Sequence, residues 1–280
     1  MTKVAILGTT GMLGSMMLEV FSCSSNITLI ETTRNDLDAQ NVDVNSIEKV
    51  LIGCDYAINC IGIIKPYIHD DNSFEVQRAI SVNGLFPHKL AQAAKKTETK
   101  VIQITTDCVY DGVKGSYTET DKHNATDVYG KTKSLGEVCG DNFLNLRCSI
   151  IGKELKGKTS LLEWFLNQPK NASVDGFLNH QWNGVTTLVF ANICLGIVKN
   201  DAFFNGLQHI VPADTMNKSD MLQDFAKIFG REDIIITPIE AREAIDRTLS
   251  TTNRSRNEKL WQLGGYEKVP TVREMIKEMR

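Results

Sequence analysis

Tyr129 stands four residues ahead of Lys133 in the stretch DVYGKTK. Residues four apart share one face of a helix, about one turn from each other, so an ammonium can sit beside a phenol. A free phenol has a pKa near ~10 and is a poor acid–base catalyst at neutral pH. A close positive charge favours the phenolate and draws that value down towards the working range. Pairs of this spacing also decorate exposed helices, so the pair gains meaning only from its company. Upstream lie GTTGMLG at positions 8–14 and the run Thr105-Thr106-Asp107.

Gly8, Gly11 and Gly14 are spaced G-x-x-G-x-x-G, one residue longer than the G-x-G-x-x-G dinucleotide fingerprint. The physics is the same. The first glycine permits a tight turn, and the second lets the backbone of Thr10, Gly11, Met12 and Leu13 approach a pyrophosphate. The third lets the following helix pack closely on the sheet. That helix turns its positive end to the diphosphate. Cofactor choice is written after the second strand, in Glu31-Thr32-Thr33-Arg34. If the strand ends near Thr32, Thr33 and Arg34 face the adenosine ribose and NADP(H) is expected. If it ends earlier, Glu31 takes the ribose hydroxyl and NAD(H) is expected. NADP(H) is the favoured reading. A threonine at the end of the strand in KVIQITTDCVY can hydrogen-bond a carbonyl oxygen while Tyr129 transfers a proton, which is the toolkit for carbonyl–alcohol chemistry with a nicotinamide.

The elements that must position these residues alternate. Strands are expected at Lys3–Leu7, Ile27–Thr32, Tyr56–Ile61, Lys100–Thr105 and Phe143–Ser149. Helices are expected at Met12–Phe21, Ser46–Ile52, Gly84–Lys96 and Tyr129–Cys139. This rhythm predicts parallel β-α-β units and a doubly wound α/β sheet of the Rossmann type, with ligands at one edge. After about Ile150 the rhythm breaks. A helix at Leu188–Val198 and a strand at Gln208–Val211 are expected to rejoin the sheet, while Asn167–Gly184 reads as loop. The expected division is a cofactor-binding domain at 1–150, rejoined by about 186–211, and a smaller discontinuous α/β substrate lobe from 151–185 and 212–280.

With 280 residues, 42% hydrophobic and 23% charged, the composition is that of a globular protein. A net charge of -3 gives no reason to expect nucleic acid or an anionic membrane as partner. No stretch approaches the ~20 apolar residues of a membrane span, and no secretory leader is evident, so the cytoplasm is expected. The seven cysteines are scattered without a C-x-x-C pair and read as buried thiols. The five histidines lack a ligand spacing, so no metal is expected within the chain. A homodimer is open.

The segments GTTGMLG, Asn83 in ISVNG, TTDCVYDG at 105–112 and YTETDKHNATDVYGKTKSLGE at 117–137 together resemble the extended short-chain dehydrogenase/reductases. Within them the chain is most similar to the dTDP-4-dehydrorhamnose reductase family. The likeness is clear through the first 150 residues and weaker beyond. It implies that Thr106 polarises a substrate carbonyl and that Tyr129 is the general acid. It further implies that Lys133 lowers the phenol pKa and holds the nicotinamide ribose, with Asn83 supporting the site. A helix N-cap would equally explain Asn83. Cys60, Ile61 and Gly62 after the third strand complete the expected cofactor contacts. Sugar-nucleotide dehydratases of this superfamily carry Thr-Asp-Glu, whereas Cys108 stands third here, and a thiol replaces that carboxylate poorly.

The resemblance therefore implies NADPH-dependent reduction of the 4-keto group of a nucleotide-activated 6-deoxysugar, for polysaccharide precursor synthesis. The alternatives are an epimerase with tightly bound NAD and a non-enzymatic NADP-binding regulatory subunit. The chain departs from the family pattern in NCIGIIK at 59–65 and GFLNHQWNGVTT at 176–187, both substrate-facing regions. Lys65, Thr106, Asp107, His180, Trp182 and Asn183 are the candidate substrate contacts. Trp182 either stacks on a sugar or base or packs in the core.

Overall fold

The computed structural model describes residues 1–280. Six parallel strands form the central sheet, in the order Ile27–Thr32, Thr2–Leu7, Tyr56–Asn59, Lys100–Thr105, Phe143–Arg147 and Gly206–His209. The order reverses between the Thr2–Leu7 and Tyr56–Asn59 strands. A crevice opens at such a switch point beyond the C-terminal strand ends, and ligands bind there. The fold is a Rossmann-like α/β sheet with helices on both faces.

The alternation of side chains along the strands builds two cores. Val4, Ile6, Tyr56, Ile58, Ile102, Leu144 and Leu146 point to one face, where they meet Met17, Phe21, Val189 and Ile193. Ala5, Leu7, Ala57, Val101 and Phe143 point to the other and meet Ile47, Leu51, Phe86 and Leu90. Burial on both faces explains why these strands read as continuous apolar runs. Each fully buried Leu, Ile or Phe contributes roughly 1.5–3 kcal/mol.

One polar ladder crosses this apolar sheet. Asn59, Gln103 and Asn145 are in register on neighbouring strands. Asn59 Nδ2 donates to Gln103 Oε1 at 2.7 Å, and Gln103 Nε2 donates to Asn145 Oδ1 at 3.2 Å. The free ends of the ladder reach the backbone, at Gly136 O from Gln103 and at Val138 O from Asn145, each at 2.8 Å. Buried amides must find partners, and here they pin the segment that follows the Tyr129 helix.

Three expected elements differ in extent. The Tyr129 helix runs Val128–Leu135 and stops at Gly136 rather than reaching Cys139. A Cβ at Gly136 would lie 2.0 Å from the Asn83 carbonyl oxygen, so only glycine lets the helix end pass this close to that backbone. The helix expected from Gly84 begins at Phe86, preceded by a π-helical stretch Ile80–Leu85. Asn83 lies inside that stretch and is therefore not a helix N-cap. The region 167–184, expected as loop, holds strands Ser173–Phe177 and His180–Trp182. Their partners, Ile235–Ile239 on one side and Met216–Asn217 and Ile245–Asp246 on the other, are distant in sequence. Non-local pairing of short strands leaves little local signal. No helix is long and apolar enough to cross a membrane.

Candidate active site

The glycine loop leaves the Thr2–Leu7 strand and enters the helix Met12–Ser22. Gly8 has φ +86°, a left-handed conformation that costs glycine nothing. A Cβ at Gly14 would lie 2.1 Å from the Gly8 carbonyl oxygen, so helix and turn meet as only glycine allows. Gly11, with the backbone beside it exposed, opens the helix. These residues could hold the pyrophosphate of the dinucleotide the sequence implies.

Two cavities flank the glycine loop and share Gly11, Cys60, Ile61, Gly62 and Ile63. The first, of about 380 Å³, is lined by Met12, Leu13, Lys65, Thr106, Asp107, Tyr129 and Lys133 among others. The second, of about 290 Å³, is lined by Gly8, Thr10, Arg34, Asp38, Gln40 and Arg78 among others. The shared residues place the two cavities side by side at the switch point, one on each side of the loop at 60–63.

The candidate catalytic residues line the first cavity. Thr106 ends the Lys100–Thr105 strand and caps a short turn, accepting from the Cys108 N–H and donating to Asp107 Oδ1, both at 3.2 Å. Tyr129 and Lys133 project from the Val128–Leu135 helix. Asp127 starts that helix by accepting from the Gly130 N–H at 2.7 Å, and it also pairs with Lys65 at 2.7 Å on the cavity rim. The Lys133 Nζ donates to the Ile104 carbonyl at 3.4 Å. Burial pushes the Tyr129 phenol well above its usual value, the nearby Asp107 carboxyl adds to the rise, and the Thr106 hydroxyl opposes it. The lowering expected from Lys133 is thus not the outcome here: desolvation outweighs every attraction on the phenolate. Burial likewise raises Asp107 and lifts the Cys108 thiol to about 12, while it depresses Lys133. A thiol so held carries no charge at neutral pH and cannot act as the dehydratase carboxylate.

Several expected residues lie elsewhere. Trp182 is buried in the larger core, its indole N–H donates to Ser149 Oγ at 2.8 Å, and the Lys218 ammonium lies over its ring at 5.5 Å. With its ring thus occupied, it packs rather than stacks on a ligand. Asn183 is buried and bonds both backbone groups of Leu249, and His180 bonds the Glu243 carbonyl. None of the three lines the catalytic cavity. Thr33 turns its hydroxyl and N–H to Asp36 and lines neither cavity. Arg34 does line the second. The Ile27–Thr32 strand ends at Thr32, the register for which Arg34 rather than Glu31 is expected beside an adenosine ribose.

Sequence reasoning missed Asp38, Gln40, Arg78 and Val82 in the second cavity, and Ser149, Ile150 and Ser160 in the first. The available signal was position: Leu37–Gln40 follows the second strand and Cys148–Ile150 the fifth, and both strands end at the same sheet edge. Two buried hydroxyls that line the first cavity, Thr105 Oγ1 and Ser160 Oγ, have no partner within the protein.

Comparison with known proteins bears on the family and the fold. The model of the family described as RmlD substrate binding domain matches residues 2–279. A dTDP-4-dehydrorhamnose reductase of Aggregatibacter actinomycetemcomitans is 31% identical over 143 residues, covering 49% of this chain and 46% of that protein. One of Mycolicibacterium smegmatis is 27% identical over 137 residues, covering 48% and 40%. The matched segment thus spans less than half the length of these curated relatives. Among solved structures, a dTDP-4-dehydrorhamnose reductase of Clostridium acetobutylicum superposes with TM-score 0.80 at 23% identity, covering 99% of this chain and 98% of the other. One of Bacillus anthracis, solved in complex with NADP, has TM-score 0.80 at 16% identity, covering 100% and 99%. At these identities the solved structures speak for the fold.

Proposed function

The chain belongs to the RmlD substrate binding domain family, and from that premise we propose that it reduces the 4-keto group of a nucleotide-activated 6-deoxysugar with NADPH. The observation that carries this reading is that Thr106, Tyr129 and Lys133 line one cavity with Gly11 and Gly62. A hydroxyl, a phenol and an ammonium thereby face the end of a pyrophosphate cradle. The name shared by the curated relatives supports the substrate class, and the NADP held by one solved relative supports the cofactor.

Gly8, Gly11 and the N-terminus of the Met12–Ser22 helix hold the diphosphate. When bound, the nicotinamide supplies the hydride. Thr106 gives up its bond to Asp107 and donates instead to the substrate carbonyl oxygen, which polarises the carbon. Tyr129 delivers the proton to the oxygen as it gains negative charge. The phenol is protonated at neutral pH and so carries the proton to be given, while burial makes it reluctant to part with that proton. Lys133 supplies positive charge one helix turn away, which stabilises the phenolate left behind. Asn83 holds the loop through Ile63 in place. Lys65 and Asp107 at the rim and floor contact the sugar nucleotide, whose remaining wall is the lobe of residues 151–185 and 212–280 packed on the cofactor domain of 1–150 and 186–211. The seven free cysteines support a reducing, cytoplasmic setting.

The test is a panel of nucleotide 4-keto-6-deoxysugars, followed by loss of NADPH absorbance and by product analysis. Stoichiometric conversion of one keto-sugar to a 4-hydroxy product is expected. Interconversion of sugars without net NADPH loss, or no turnover of any member, overturns the reading.

A further inference from the structure

We propose that Arg78 is a specificity-determining residue that grips the adenosine 2′-phosphate of NADPH together with Arg34. The inference rests on the NADPH reading above and deepens it. The second cavity brings together two segments far apart in sequence, the loop after the Ile27–Thr32 strand and the helix Ser73–Ala79. Its charged lining is Arg34, Asp38 and Arg78. The Asp38 carboxylate is already engaged, by Asn41 Nδ2 at 2.7 Å and by the Gln40 N–H at 3.2 Å. The two guanidiniums therefore leave the cavity with an excess of positive charge.

Arg78 is held in place before any ligand arrives. Its Nη2 donates to the Tyr67 carbonyl at 3.1 Å, which fixes the plane of the group. Its Nε is buried and has no partner in the protein. A desolvated N–H without an acceptor is costly, and the planar fork of a guanidinium matches the oxygens of a phosphate. Arg34 is exposed and lines the same cavity. Arg34 alone meets a dianion from one side; with Arg78 the phosphate is clasped between two forks. NADH, which carries a hydroxyl at that position, gains nothing from either.

The test is equilibrium titration of the full chain with NADPH and with NADH, followed by nucleotide fluorescence, with 2′,5′-ADP and AMP as competitors. Replacing Arg78 by Gln is expected to weaken NADPH and 2′,5′-ADP by about 10-fold or more, with NADH and AMP changed by less than about 2-fold. R78K, which keeps the charge but not the fork, should fall between wild type and R78Q. NADH binding shows that each variant is folded. Equal weakening of NADPH and NADH, or no weakening of either, overturns the inference and leaves the reductase reading standing. Wild-type protein that binds both nucleotides equally overturns the NADPH reading and this inference with it.

Discussion

Asn83 clasps the backbone of Ile63 from both sides: its Oδ1 accepts from the Ile63 N–H at 2.8 Å and its Nδ2 donates to the Ile63 carbonyl at 2.9 Å. The same Nδ2 lies 3.5 Å from Thr132 Oγ1, on the helix that carries Tyr129 and Lys133. One buried amide thus ties the loop shared by both cavities to the catalytic helix. Replacing Asn83 by Ala leaves the Ile63 groups without partners, and a loss of about 1–3 kcal/mol of stability is expected in urea unfolding. NADPH affinity should fall as well, because the loop is no longer held. Asn83→Asp keeps the acceptor but loses the donor and should sit between the two.

Replacing Tyr129 by Phe removes the proton donor and little else, since the ring still fills its place. Turnover is expected to fall by about 10²-fold or more, while titration with NADPH gives an affinity close to wild type. Wild-type turnover in this variant would exclude the phenol as general acid.

Gly14 and Gly11 of the loop do different work, and alanine separates them. At Gly14 a new Cβ meets backbone, 2.1 Å from the Gly8 oxygen and 2.7 Å from its carbon, and neither atom can yield. Gly14→Ala should lower Tm, with a cost of at least about 3 kcal/mol. At Gly11 the nearest atom is 3.5 Å away and φ is -84°, so the fold accepts a methyl group. Gly11→Ala should keep its Tm and lose nucleotide affinity, because the methyl group stands where the pyrophosphate approaches.

Stability should fall as the solution is acidified, through His209. Burial first, and then the charge of Arg147, lower its pKa from 6.5 to about 4. Its Nε2 accepts from Arg147 at 2.8 Å, and its Nδ1 donates to the Ser250 carbonyl at 2.7 Å. The folded state therefore favours neutral imidazole. That contribution is fully present above the unfolded value near ~6.5 and is lost as pH falls towards the folded value. It amounts to on the order of 3 kcal/mol. His123 is shifted in the same direction, also by burial first. Thermal unfolding between neutral pH and pH about 4 should show Tm falling with uptake of protons on unfolding, and His209→Gln should flatten part of that slope.

Arg147 shows why the supporting residues were illegible. It is fully buried and bonds Glu137, Tyr110, His123 and His209. In the sequence it is one arginine at the end of an apolar run, with partners scattered over a hundred positions. Asn83 was visible as a site residue, yet its role as a clasp was not, because the π-helical stretch that aims it is set by packing against the Val128–Leu135 helix. Arg78 gave no signal at all, since its meaning lies in sharing a cavity with Arg34.

By itself the sequence determined the parallel α/β architecture, the glycine turn between the first strand and helix, and the grouping of Thr106, Tyr129 and Lys133, which line one cavity. Each rests on local rules: strand and helix periods, the small size of glycine, and one-turn spacing on a helix. Only the tertiary structure decided what each residue meets. Burial reversed the expected shift of the Tyr129 phenol, and core packing took Trp182 from the ligand. The loop after the Ile27–Thr32 strand and the helix Ser73–Ala79 brought Arg34 and Arg78 to one cavity. Desolvation and long-range contact depend on neighbours that the folded chain supplies and no local pattern encodes.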